Sequence, residues 1–155
     1  MTKAESKVID FIKKHILLFL LVAVTIIAIF LRVCGMDFQS DDFNSFLNSW
    51  WSIIKLNDFT GLATQVGNYN IPYQIIIYLM TLLPLNALYA YKIVSIIFDF
   101  VLAISTAMLA YSFAKNNRRL KAILTYSAVL LSATVIFNSS FWAQCDSIYT
   151  SFIIL

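Results

Sequence analysis

Long uncharged runs alternate with short polar stretches along this chain, and the run lengths set the first expectation. Ile16 to Leu31 is 16 residues without a charge, and carried on to about Cys34 it approaches the roughly 20 helical residues needed to cross a bilayer. Arg32, at its end, reads as a side chain that snorkels to the interface. Lysines precede the run, as in a signal peptide, but no small-x-small cleavage site follows and further apolar segments do. It is therefore read as an uncleaved first span with the N-terminus inside. Ala122 to about Phe137 reads as another span. Ile148 to Leu155 opens a further one of only eight residues, about 12 Å of helix against a hydrocarbon core of roughly 30 Å. The expectation is a truncated module, the N-terminal piece of a larger protein.

Ile71 to Tyr91 admits two readings. Its 21 uncharged residues can be counted as a span, but that count places Lys115 to Lys121 outside, against the positive-inside rule. Pro72 and Pro84 bracket only 11 residues, and a proline inside a helix removes a hydrogen bond and clashes with the preceding turn. A segment that short is more often interfacial or re-entrant. With 71–88 at the interface, the second crossing runs from about Tyr89 to Ala114, and both basic clusters face the cytoplasm. The spans are then about 16–34, 89–114 and 122–137 with a broken one from 148, and the outer loops are about 35–88 and 138–147. The fold class expected is all-α, a polytopic transmembrane bundle whose long outer loop holds short interfacial helices.

Composition supports this class. Of 155 residues, 61% are apolar and only 12% charged, against roughly 45–50% and 25% in soluble domains, so a soluble fold of this size has no interior large enough for its apolar surface. Three glycines and two prolines rule out collagen and argue against disorder. Two cysteines make no disulfide framework, and although Cys34 and Cys145 both fall outside, free thiols are the default. The net charge of +3 matters less than its placement: Lys3, Lys7, Lys13 and Lys14 form one cluster, and Lys115, Arg118, Arg119 and Lys121 a second. Both flank apolar runs, which marks topology and not a nucleic-acid surface.

Polar and aromatic residues interleave in the two outer loops. Aromatic faces stack on sugar faces while carboxylates and amides bind hydroxyls. The plainer alternative is a Trp/Tyr interfacial belt with Asp and Ser capping helices.

Five segments occur in order: Ser40-Asp41-Asp42-Phe43; Phe46-Leu47 and Trp50; Gly67-Asn68-Tyr69-Asn70-Ile71-Pro72-Tyr73; Lys92-Ile93-Val94-Ser95 with Phe98-Asp99; and Trp142-Ala143-Gln144-Cys145-Asp146-Ser147-Ile148-Tyr149. The set resembles the N-terminal part of bacterial mannosyltransferase-like proteins related to the GPI mannosyltransferases, within the GT-C superfamily of polytopic glycosyltransferases. Ala143 stands where that family is expected to have glycine, and the family's remaining transmembrane helices are missing.

The resemblance implies an enzyme of the bacterial plasma membrane that moves a mannose-like sugar from a polyprenyl-phosphate donor to a glycan, lipid or protein acceptor at the outer face. A phosphate leaving group needs little protonation, so the chemistry needs one general base for the acceptor hydroxyl and positive charge near the phosphate. Glycoside hydrolysis, by contrast, usually needs a carboxylic acid to protonate the departing oxygen. The base implied is Asp42, with Asp41 as the alternate, since adjacent carboxylates repel and one is biased toward proton acceptance; Asp41 can instead cap the helix from Phe43 to Leu56. Trp142, Gln144, Asp146, Asn68, Tyr69, Tyr73 and Lys92 are the substrate-binding candidates. Asp146 orients the acceptor, shares a divalent cation with Asp42, or caps the fourth helix. Lys92 either neutralises the lipid phosphate or snorkels. Asp99, seven residues further on, is read as structural, paired with a helix this chain lacks or that a second chain supplies. His15 is read as interfacial. The competing functions are a transporter or channel subunit with Lys92 and Asp99 along its path, and a truncated membrane protein without catalysis.

Overall fold

The computed structural model describes residues 2–155 and is helical throughout, with no strand among those residues. Helix α1 (Lys3–Val33) opens on a capping box, in which Glu5 N–H donates to the Thr2 hydroxyl and Thr2 N–H to the Glu5 carboxylate. Its apolar run lacks any breaker, so it continues for 31 residues, more than a bilayer requires. Residues 41–57 form a second helical run: a π-turn at Phe43–Leu47 leads into α2 (Asn48–Asn57). A 3-10 turn (Asp58–Ala63) precedes α3 (Ile71–Thr81).

The two prolines set the bounds of α3. Pro72 occupies its first turn, where its missing N–H costs nothing, and the chain leaves the helix three residues before Pro84. Helix α4 (Ala87–Phe113) then starts afresh with the Asn86 side chain accepting from Tyr89 N–H at 2.9 Å. The stretch from Ile71 to Tyr91 is thus one short helix and the beginning of a long one, and the second expected crossing falls on α4. Helices α1 and α4 are each long and apolar enough to cross a membrane.

The third apolar run is not one helix. It divides into α5 (Arg118–Leu130) and α6 (Ala133–Ile136) with a second π-turn (Phe137–Phe141), and the two parts are bent by 50° at Leu131–Ser132. Helix α7 (Asp146–Ile154) ends the chain. Val24 and Ala28 of α1, Ala103 of α4, and Tyr126 and Leu130 of α5 form one core. Ala28 and Ala103 are wholly buried, and small side chains there let the backbones approach. A second, larger core, including Leu47, Trp51, Ile54, Tyr73, Ile77, Tyr91 and Ile148, joins α2 and α3 to the first turns of α4 and α7 as a cap on one end of the bundle. The second basic cluster lies at the other end, in the turn 114–117 and the first residues of α5.

Arg32 of α1 and Asp99 of α4 face inward and meet. Arg32 does not snorkel: it is 1% exposed, and its Nη2 lies 2.9 Å from Asp99 Oδ2. Its Nε donates to the same oxygen, and its Nη1 donates to the Ala28 and Leu130 carbonyls at 3.0 and 3.1 Å. Leu130 is where α5 breaks, so the guanidinium satisfies a carbonyl that the bend leaves without a helical partner. Asp99 also accepts from the Ser139 and Ser147 hydroxyls. Its partner is therefore α1 of this same chain and not a missing helix.

Candidate functional site

Ser40 is the cap of the helical run that begins at Asp41: its hydroxyl accepts from Phe43 N–H at 3.1 Å, and its carbonyl from Asn44 N–H at 3.1 Å. Asp41 does not cap, which corrects that assignment. Asp41 is exposed and Asp42 half-buried, both in the first turn, where the helix dipole favours negative charge. The π-turn that follows widens the helix by one residue per turn, and Tyr91 stabilises it by donating its hydroxyl to the Leu47 carbonyl at 3.1 Å.

Asp42 stands at a cavity of about 410 Å³ lined by Phe46, Leu47 and Trp50 from its own run, Gly67, Asn68 and Tyr69 from the loop before α3, and Gln144 from the loop before α7. Gln144 Nε2 donates to Asp42 Oδ2 at 2.9 Å, and the Tyr69 hydroxyl donates to Gln144 Oε1 at 3.2 Å. A phenol thus holds an amide, and the amide holds the carboxylate. Burial pushes the Tyr69 phenol above its ordinary range, with Cys145 and Asp146 adding to the shift, so it stays a hydrogen donor at neutral pH. Tyr73 is buried beside it and shifted the same way, first by desolvation. Desolvation also raises the Cys145 thiol to about 11.

Trp50 makes the aromatic wall of the cavity. Its ring meets Tyr69 edge-on at 5.5 Å, and Tyr69 in turn packs on Tyr73 at 4.9 Å and stacks on Tyr149 at 6.4 Å. Gly67 passes directly over the Trp50 indole with φ +75°, and a Cβ at that position would overlap the ring. Ala143 has φ +59° and is fully buried. It adopts the left-handed region that glycine takes without strain. This turn swings Gln144 toward Asp42.

The structure therefore gathers Asp42, Asn68, Tyr69 and Gln144 at one cavity and leaves other candidates apart. Tyr73 supports Tyr69 from behind, at 2% exposure. Trp142 lies outside the lining, 53% exposed, and its carbonyl accepts from the Ser40 hydroxyl at 3.4 Å. Asp146 is exposed in the first turn of α7 and accepts from Asn138 Nδ2 at 2.7 Å. Lys92 is fully buried, with its ammonium donating to the carbonyls of Gly35 (2.7 Å), Met36 (3.0 Å) and Phe38. It neither snorkels nor reaches the cavity; it closes the chain end of α1.

A cation shared between Asp42 and Asp146 does not fit this donor set. The two carboxylates are bound by different amides, only Asp42 lines the cavity, and no cluster of three His, Cys, Asp or Glu ligands occurs among the described residues. Cys34 and Cys145 are free thiols, exposed and buried respectively. Trp50, Phe46 and Gly67 stood in the ordered segments without individual roles, and the interleaving of aromatic and polar residues was the signal for the two aromatics. No family model, curated protein or solved structure matches the chain.

Proposed function

We propose that this chain carries the acceptor-activating part of a membrane glycosyltransferase of the GT-C type, with Asp42 as general base at the outer face. The observation that carries the reading is the carboxylate of Asp42 held at the mouth of an aromatic-walled cavity by the Tyr69–Gln144 relay. An anchored carboxylate beside a stacking surface suits an acceptor hydroxyl: Asp42 takes its proton, the oxygen attacks the anomeric carbon, and the sugar–phosphate C–O bond breaks with its electrons leaving on phosphate. The cavity volume accommodates a hexose-sized group, and Asn68 supplies an amide for a sugar hydroxyl. The cavity lining contains no Lys or Arg, so phosphate charge is balanced outside these residues.

In this arrangement the N-terminus and the basic segment 114–121 face the bacterial cytoplasm, and the cap of α2 and α3 lies at the outer surface. The open face of α3, with Ile71, Ile75 and Leu79 exposed, suits an interfacial helix resting on lipid. A transport path through Lys92 and Asp99 has no support, because both groups are buried and engaged.

On its own this 155-residue chain is expected to be inactive, so the test is Asp42→Asn in the protein as its cell makes it, in native membrane vesicles with a polyprenyl-phosphate-mannose donor and acceptor. Transfer is expected to fall about 10²–10⁴-fold, the range for loss of a general base, with thermal unfolding unchanged. Near-normal transfer by Asp42→Asn would overturn the assignment.

A further inference from the structure

Far from the Asp42 cavity, two further cavities run into each other along the seam of α1, α4 and α5. One, of about 520 Å³, is lined mainly by apolar side chains, including Leu21, Ile104, Ala107 and Met108, with Thr25 and Tyr126 at its inner end, where their hydroxyls lie 3.0 Å apart. The other, of about 510 Å³, is lined by Lys13, Lys14, His15 and Arg119 together with Leu17 and Leu18. Tyr111, Ala122 and Ile123 line both. The result is a groove, apolar along its length and cationic at its mouth.

Its cations have no carboxylate partners. Among the described residues the sole ion pair is Arg32–Asp99, so Lys13, Lys14 and Arg119 are unpaired even though Asp10 lies one turn away on α1. Arg118, beside the mouth, donates its Nε to the Ala114 carbonyl at 2.9 Å and sits 6.0 Å over the Tyr111 ring. The groove follows α1 from Lys14 to Thr25, about 16 Å at 1.5 Å per residue. That is about half of the roughly 30 Å hydrocarbon core, the depth of one leaflet.

We infer that this seam is a binding site for one anionic phospholipid, whose headgroup phosphate lies on Lys14, Arg119 and His15 and one of whose two acyl chains lies along the groove toward Tyr126. Charge complementarity selects the headgroup, because basic pockets between membrane helices attract anionic lipids. Groove length selects a lipid chain over a soluble anion. The lipid would tie residues 13–18 of α1 to the start of α5.

The full chain, purified in mild detergent, is offered equal amounts of phosphatidylglycerol and phosphatidylcholine with identical acyl chains, and retained lipid is counted by native mass spectrometry. Retention of phosphatidylglycerol is expected to exceed that of phosphatidylcholine by about tenfold or more, and K14Q/R119Q to bring the ratio near one, as follows from removing two cations at an anionic headgroup. Ala107→Phe, which narrows the groove and keeps every charge, is expected to reduce retention of both lipids. Glycerol 1-phosphate at equal concentration should not displace phosphatidylglycerol. Equal retention of the two lipids by the unaltered chain overturns the inference, as does undiminished preference in K14Q/R119Q. Displacement by glycerol 1-phosphate also overturns it and marks a site for a soluble anion.

Discussion

At the residue scale, the stakes are highest where a polar group is enclosed. Arg32 and Asp99 are 1% and 0% exposed, so Asp99→Leu leaves a guanidinium without its counter-charge. A loss of about 3–5 kcal/mol is expected for breaking such a pair, seen as a lower unfolding temperature in detergent. The double variant Arg32→Met/Asp99→Leu should recover much of that loss, since two matched apolar groups leave no charge stranded. No recovery would mean that the carbonyl contacts to Ala28 and Leu130 matter more than the pair. Cysteine chemistry gives a second residue-scale contrast. The Cys145 thiol is buried and shifted up to about 11, so little thiolate exists at pH 7.5 and alkylation there should be slow. One label per chain, on Cys34, is expected under native conditions and two after denaturation. Raising the pH toward 11 should bring Cys145 into reaction, provided the fold still opens enough to admit the reagent.

At the element scale, the site depends on how helices begin and where they bulge. Ser40 holds the start of the Asp42 helix, and Ser40→Ala should cost about 1 kcal/mol, as the loss of an N-cap does. Because the cap also positions Asp42, the sugar transfer proposed above should fall more than stability alone explains. The turn at Ala143 offers the opposite experiment. Glycine there removes a left-handed penalty of roughly 1–2 kcal/mol, but it also gives up a buried methyl worth about 0.8 kcal/mol and adds unfolded-chain entropy. Ala143→Gly should therefore lie close to the parent in unfolding temperature, whereas Ala143→Val, β-branched at φ +59°, should be clearly destabilised. The helix limits around Pro72 and Pro84 were legible in advance because proline acts locally. The break at Leu131–Ser132 was not, since neither residue is a strong breaker and the freed Leu130 carbonyl is satisfied by Arg32, 98 positions away.

At the scale of the whole molecule, the bundle has a cap of short helices at one end and a basic turn at the other. If the basic turn is cytoplasmic, then in a Cys34→Ser/Cys145→Ser background Asn116→Cys should react with a membrane-impermeant maleimide only in inverted vesicles, and Asn68→Cys only in right-side-out ones. Labelling of both from the same side would discard the orientation proposed here. The Arg32–Asp99–Ser139–Ser147 network joins α1, α4, the second π-turn and α7 just beneath the cap. It accordingly couples the spans to the segment that delivers Gln144.

The class of the molecule, its long helices and the short helix between the prolines follow from run length, hydropathy and proline placement, which are local properties and can be read along a chain. The segments that meet at the cavity were also visible as ordered polar-aromatic motifs. Their division of labour was not. Lys92 looked free to meet a phosphate, but the fold sets it under three carbonyls at the end of α1. Asp146 looked like a partner for Asp42, yet Gln144 fills that place through a left-handed turn at Ala143. Such assignments depend on which donors and acceptors a buried group finds within about 3 Å, and that is decided by packing between segments far apart in sequence.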